Sequence, residues 1–95
     1  MAKIIWSPQS LQDIAAIGNY IALDSPRYAS IVVENIFTSA ENISLFPESG
    51  RKVPEFNQIN VREIFYKNYR VIYEIRRNQI EILTVFHSSR LLRRK

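Results

Sequence analysis

The sequence predicts an α+β domain of order β-α-α-β-β-β. An antiparallel C-terminal meander is joined by the N-terminal strand, and a helical hairpin packs on one face. Three observations carry this expectation. Ser7-Pro8 and Ser25-Pro26 each precede an apolar stripe of helical spacing. Three β-rich runs follow one another between Val61 and Arg90 with two-residue links. The chain is 95 residues long, which makes one domain over 1–95.

Lys3 to Trp6 is a short β-prone run that must pair with later strands, and Trp6 is expected to anchor it to the hairpin. Ser7 then caps a helix that Pro8 opens, since proline at the first helical position loses no intrahelical bond. Leu11, Ile14, Ala15, Gly18 and Ile21 form its stripe, broadened by Ile17. A mid-helix glycine costs about 1 kcal/mol relative to alanine, so Gly18 implies a close approach by another backbone. Ser25 and Pro26 repeat the punctuation for a second helix to about Leu45, with Ala29, Val32, Val33, Ile36, Ala40 and Ile43 on its stripe. The short link between the helices implies an antiparallel pair.

Residues 47–58, PESGRKVPEFNQ, read as an exposed loop, with Gly50 at a positive-φ turn. Arg51 and Lys52 lie on it beside the sheet, and Pro54 permits at most an edge-strand segment near Val53. The meander follows as Ile59–Tyr66, Tyr69–Arg76 and Gln79–His87. Asn68 and Asn78 suit the positive-φ positions of the two links. Strict alternation puts Tyr69, Val71, Tyr73 and Ile75 on one face of the middle strand, and Arg70, Ile72, Glu74 and Arg76 on the other. In the last strand it sets Ile80, Ile82, Thr84 and Phe86 against Glu81, Leu83, Val85 and His87. One face of the sheet is apolar and covered by the helices. The other is mixed, partly open, and carries Arg70, Glu74 and His87. A basic tail of about 88–95 ends the chain.

The net charge of +4 is unevenly spread. Residues 1–50 hold two Lys/Arg against five Asp/Glu, and residues 51–95 hold eleven against four. This polarity suits an anionic partner for the C-terminal half, nucleic acid or acidic protein, and equally suits plain solubility. The absence of cysteine excludes a disulfide framework and a cysteine-ligated metal. No cofactor or metal is expected. The apolar runs are far shorter than the ~20 residues of a membrane span, and MAKIIWSPQS lacks the apolar core of a signal peptide. The expected location is the cytoplasm.

The ordered set Trp6-Ser7-Pro8, Ser25-Pro26, Pro47-x-x-Gly50-Arg51-x-Val53-Pro54-Glu55, Arg62-Glu63, Tyr69-Arg70-x-x-Tyr73 and Val85-x-His87-x-x-Arg90 resembles the RelE/ParE superfamily of type II toxins. The resemblance covers nearly the whole chain. The Gly-Arg-x-Val-Pro-Glu segment and the His-x-x-Arg ending are most like the ParE branch. It implies a growth-inhibiting toxin silenced by a cognate antitoxin in a hetero-oligomer. ParE-type relatives inhibit DNA gyrase; RelE-type relatives cut messenger RNA on the ribosome. A shared fold does not separate these activities, and an inactive binding module is a third alternative.

RNA cleavage through the 2′-OH needs an acid, a base and cations. Arg70 matches the position where cleaving relatives keep an arginine, and His87 lies near where some place an acid–base residue. Ser88, Ser89 and Arg90 follow His87 where those relatives often supply a tyrosine, so the nuclease set is incomplete and no catalytic residue is fixed. The target-binding candidates are Arg51, Lys52, Arg70, His87, Arg90, Arg93 and Arg94. The competing structural readings make Arg70 a cross-strand partner of Glu63 or Glu81, and His87 a hydrogen-bonding residue that holds the turn into the tail. Tyr66, Tyr69 and Tyr73 are read as sheet packing.

Overall fold

A computed structural model describes residues 2–89. Both Ser-Pro signals act as expected. The Ser7 hydroxyl accepts from the Ser10 N–H at 3.0 Å and caps α1 (Pro8–Ala22), and Ser25 accepts from Tyr28 N–H at 3.1 Å and caps α2 (Pro26–Glu41). The second helix ends earlier than its apolar stripe predicts. It tightens into a 3-10 turn at Asn42–Ser44, where the Ser44 hydroxyl donates to the Glu41 carbonyl and competes with the helical ladder. Ile43 still reaches the core from that turn. A second 3-10 turn follows at Pro47–Ser49.

The strands are β1 (Lys3–Trp6), β2 (Arg51–Lys52), β3 (Val61–Tyr66), β4 (Tyr69–Arg76) and β5 (Gln79–His87), in the sheet order β1-β5-β4-β3-β2. β1 runs parallel to β5 and every other pair is antiparallel. The two hairpin links take positive φ at Lys67 (52°) and Asn78 (60°). The first link therefore places its left-handed residue at Lys67 and not at the predicted Asn68.

α1 and α2 cover one face. Ile14, Val32, Ile36, Ala40 and Ile43 meet Val71, Tyr73, Ile80, Ile82 and Val85, all nearly inaccessible to solvent. Trp6 packs edge-on against Phe37 with ring centroids 4.7 Å apart. A Cβ on Gly18 would lie 3.1 Å from a Val33 methyl, so the close neighbour is an α2 side chain and not a backbone.

The other face is covered in part. Val53 and Phe56 fold over Val61, Ile72, Leu83 and Phe86 and bury a second, smaller apolar cluster. The expectation of a partly open mixed face holds at one end, where the Glu74, Arg76 and Glu81 side chains stay partly exposed, and is corrected at Arg70, which is buried beneath the 53–60 segment. Gly50 lets that segment start. Its φ is −72°, so no left-handed turn is involved. Instead its Cα faces the Tyr73 hydroxyl, and an added Cβ would lie 2.7 Å from the Glu63 carbonyl. The Tyr73 hydroxyl accepts from Gly50 N–H (3.1 Å) and donates to the Pro47 carbonyl (2.7 Å).

One irregularity decides which side chains share a face. β4 contributes eight residues and β5 nine between the same end pairs, Tyr69–His87 and Arg76–Gln79, with a register shift between Ile72 and Tyr73. Ile72 pairs with Thr84 and Tyr73 with Ile82, so Leu83 is the extra residue of a β-bulge. A one-residue slip reverses every later side chain. Phe86 moves to the Val53 side and Val85 to the helical side, contrary to strict alternation. α1 holds the bulge. Ser7 Oγ donates to the Leu83 carbonyl at 2.9 Å, while Asp13 accepts from Thr84 Oγ1 (2.5 Å) and Val85 N–H (3.1 Å).

Candidate functional site

Arg70 sits mid-sheet on β4 and points under the 53–60 segment. Its side chain is 7% exposed, and Nε donates to Glu63 Oε1 at 2.6 Å. Its two terminal nitrogens grip the Glu55 carboxylate, each at 2.9 Å. The bidentate fork is the geometry guanidinium favours for a carboxylate. Glu63 is fully buried and its second oxygen accepts from Arg51 Nε. The hydrogen bonds donated to Glu55, opposed by burial and aided by Glu63, raise the Arg70 guanidinium further above its ordinary value. Its charge is held and cancelled in place. Glu63 was one of the two predicted partners of Arg70; Glu81 instead binds Arg76 at 2.7 Å.

Arg62 completes the lattice by donating to the carbonyls of Ile59, Glu48 and Gly50 at 3.0–3.2 Å. Asn60 Nδ2 ties the end of the segment to Glu74 at 3.1 Å. Arg51 and Lys52 form β2, the outer edge, and both are exposed. The Arg51 guanidinium lies 5.2 Å from the centre of the Phe65 ring.

His87 lies elsewhere. The bulge turns it to the helical side, opposite Tyr69, with ring centroids 5.5 Å apart. Its Nδ1 accepts from Ser89 N–H at 3.1 Å and lies 2.8 Å from the Ser89 hydroxyl. That backbone bond is the turn-holding role foreseen for the histidine. Arg70 and His87, the two residues a nuclease would combine, thus face opposite sides of one sheet. Arg90, Arg93 and Arg94 lie outside the described residues.

His87 borders a groove of about 560 Å³ between α1 and the ends of β4 and β5. Ala16 and Ile17 of α1 and Val85 of β5 line it together with Tyr20, Tyr69 and Ser89, while Phe86, next to Val85, turns its ring to the opposite face under Arg70. Burial raises the Tyr69 hydroxyl above its usual pKa, reinforced by Tyr28 and Tyr20. Beyond Tyr69, Lys67 Nζ lies 5.8 Å from the Tyr28 ring and 6.0 Å from the Tyr66 ring. Asn35 donates to the Tyr66 hydroxyl at 2.9 Å.

The charge pattern acquires a sharper form. Residues 2–89 hold nine Lys/Arg and nine Asp/Glu, so the whole net charge of +4 equals Arg90, Arg93, Arg94 and Lys95. The cations of the sheet are largely neutralised by partners.

Sequence reasoning did not single out Glu55, Ser7 or Asp13 for these roles. Glu55 had one signal: an acid next to Val53-Pro54, in a loop whose apolar residues need a surface to cover. The bulge left a fainter trace, the unbroken run Ile82-Leu83-Thr84-Val85-Phe86, which strict alternation cannot accommodate on one buried face.

A family model described as the ParE toxin of the type II toxin–antitoxin system parDE matches residues 4–92. The chain belongs to the ParE toxin family. Among similar ParE-family and related chains, Toxin RelE2 of Caulobacter vibrioides (strain ATCC 19089 / CIP 103742 / CB 15) is 28% identical over 96% of this chain and 100% of that protein. Putative toxin Y4kP of Sinorhizobium fredii (strain NBRC 101917 / NGR234) is 33% identical over 90% of this chain and 88% of its own length. A solved chain of the chromosomal ParDE TA system from P. aeruginosa superposes with a TM-score of 0.77 at 20% identity, over 92% of this chain and 96% of that one. That likeness supports the ParE-like fold: a strand, a helical hairpin and the sheet that closes it. As a member of the family the chain is a type II toxin, with an antitoxin as its partner.

Proposed function

We propose that this ParE-family toxin inhibits DNA gyrase by binding it, in the cytoplasm, and is neutralised by its cognate antitoxin. The observation that carries the reading is the confinement of Arg70 between Glu55 and Glu63, with His87 on the far side of the sheet. General acid–base cleavage needs both groups within hydrogen-bond reach of one phosphodiester. A neutralised, covered arginine and a histidine tied to Ser89 do not supply that arrangement. The target-binding set is then the exposed pair Arg51 and Lys52, His87 at the groove rim, and Arg90, Arg93 and Arg94 in the cationic end. Arg70 serves that surface from below by holding the 53–60 segment. The test is a supercoiling assay with purified toxin and gyrase. Supercoiling falls and cleaved DNA complexes accumulate as toxin is added; full supercoiling at a large molar excess of toxin overturns the proposal.

A second reading is favoured by one comparison, the likeness to Toxin RelE2 over nearly all of both chains. It makes the protein a ribosome-dependent messenger RNA endonuclease through Arg70 and His87. It requires Glu55 to release Arg70 on the ribosome. An inactive binding module is distinguished from both by the absence of growth inhibition when the toxin is expressed alone.

A further inference from the structure

The connection between α2 and β2 presents two large apolar side chains in a row to solvent. Leu45 is 53% exposed and Phe46 69%. We propose that this ridge is the contact through which two copies of the toxin pair about a twofold axis. The pairing goes beyond the gyrase reading and does not depend on it.

The ridge is held rigidly. Ile43 turns into the core, and the 3-10 turns on either side leave Leu45 and Phe46 outside. Leu45 N–H donates to the Asn42 carbonyl and Phe46 N–H to the Ile43 carbonyl, each at 3.2 Å. The Phe46 carbonyl accepts from Ser49 N–H at 2.9 Å, and the Pro47 carbonyl accepts from the Tyr73 hydroxyl at 2.7 Å. A display already fixed in place loses little entropy on binding. Leu45 stands between two recesses and lines both. One, of about 430 Å³, is shared with Ala2, Ile4, Glu41 and Ser44. The other, of about 590 Å³, is shared with Phe46, Pro47, Glu48, Ser49 and Ile75. Arg62 bonds the Ile59 and Glu48 carbonyls together, which brings Ile59, 70% exposed, beside the second recess and enlarges the apolar surface.

Two features select a second copy as the occupant. Apolar projections and apolar recesses lie side by side on one surface, so a twofold rotation can seat the projection of each copy in the recess of the other. Such self-complementarity is what an isologous contact requires. The charged rim has the same property. Glu41 and Glu48 come from the end of α2 and the connection, and Lys3 and Arg77 from the adjoining sheet end, where Lys3 N–H donates to the Asn78 carbonyl at 3.3 Å. Among the described residues none of these four side chains makes an ion pair. Two acids and two bases sum to zero. A partner of one sign meets like charge over half the rim, whereas a rotated copy sets acids against bases on both sides of the axis.

The test is analytical ultracentrifugation of the full-length toxin, free of antitoxin, across the micromolar range. Phe46→Glu puts a charge on the ridge without entering the core. Leu23→Glu, at an 81% exposed residue of the hairpin tip, is the control for non-specific apolar association. Circular dichroism establishes that each variant is folded. The expected result is a monomer–dimer equilibrium for the wild type, a dissociation constant raised about 30-fold or more by Phe46→Glu, and no change for Leu23→Glu. A second arm reverses the rim. Glu41→Lys with Glu48→Lys in one chain, and Lys3→Glu with Arg77→Glu in another, should each weaken self-association, and mixing the two chains should restore dimers. A monomeric wild type overturns the proposal, as does a dimer that Phe46→Glu leaves unchanged or that Leu23→Glu weakens equally. A monomer whose binding to gyrase or to the antitoxin falls in Phe46→Glu assigns the ridge to that partner and overturns it too.

Discussion

The two faces of the sheet are covered by different physics. The helical face buries ten side chains in one apolar cluster with no ionised member. The opposite face has a much smaller apolar cluster and is held by Glu63, Arg70, Glu55 and Arg51 under a loop. Dispersion and hydrophobic burial tolerate small changes in shape, so the first face degrades gradually. A buried ion lattice fails abruptly, because removing one member leaves the others desolvated and unpaired. The cation that resembles catalytic machinery lies in the lattice face, where it is consumed by structure; the accessible groove lies at the margin of the helical face.

The largest expected effect is at Glu63. Glu63→Ala strands Arg70 beside a single carboxylate and should destabilise the fold by about 3–5 kcal/mol, read by urea denaturation. A loss below that of a surface substitution would dissolve the distinction between the faces. On the same loop side, Gly50→Ala drives a methyl into the Tyr73 hydroxyl and the Glu63 carbonyl, at an expected cost of about 1–3 kcal/mol. On the helical face, Ile36→Val removes one methyl from a fully buried site and should cost only about 0.5–1.5 kcal/mol. Equal sensitivity of Ile36 and Glu63 would show that both faces respond alike.

A smaller effect is specific to pH. Burial raises the Tyr73 phenol above its ordinary value of about 10, outweighing the Gly50 hydrogen bond and the Arg62 charge. The neutral phenol is favoured in the folded state, so folded protein binds more protons than unfolded protein above the unfolded pKa. Stability from this group is complete below about pH 10 and declines as pH rises toward the folded pKa. Chemical denaturation between neutral and strongly alkaline pH should show this decline, and Tyr73→Phe should flatten it while lowering stability at neutral pH through its two lost hydrogen bonds.

Much of the fold was legible because local signals agreed with the global one. Ser7-Pro8 and Ser25-Pro26 named both helix starts, and the strand boundaries of the last two runs match the structure. Features that depend on distant partners were not legible. Gly50 reads as a turn residue until Tyr73 is known to press on it. α2 reads as continuing to Leu45 until Ser44 claims the Glu41 carbonyl. The greatest consequence came from Leu83. A single extra residue in β5 carried His87 to the other face and dissolved the Arg70–His87 pair, and its stabilising contacts come from Ser7 and Asp13, more than 70 residues away in sequence. The Glu63–Arg70 pair was accessible as an alternative because both lie on adjacent strands; Glu55 was not, since loop trajectories leave little trace in pattern.

The central claim is that this toxin binds its target and performs no chemistry with Arg70 and His87. Primer extension on translated messages from cells expressing the toxin without antitoxin tests it most directly. The account predicts full-length extension products with no stops positioned by codon, in cells whose growth is arrested. Codon-positioned stops that disappear in His87→Ala would contradict it.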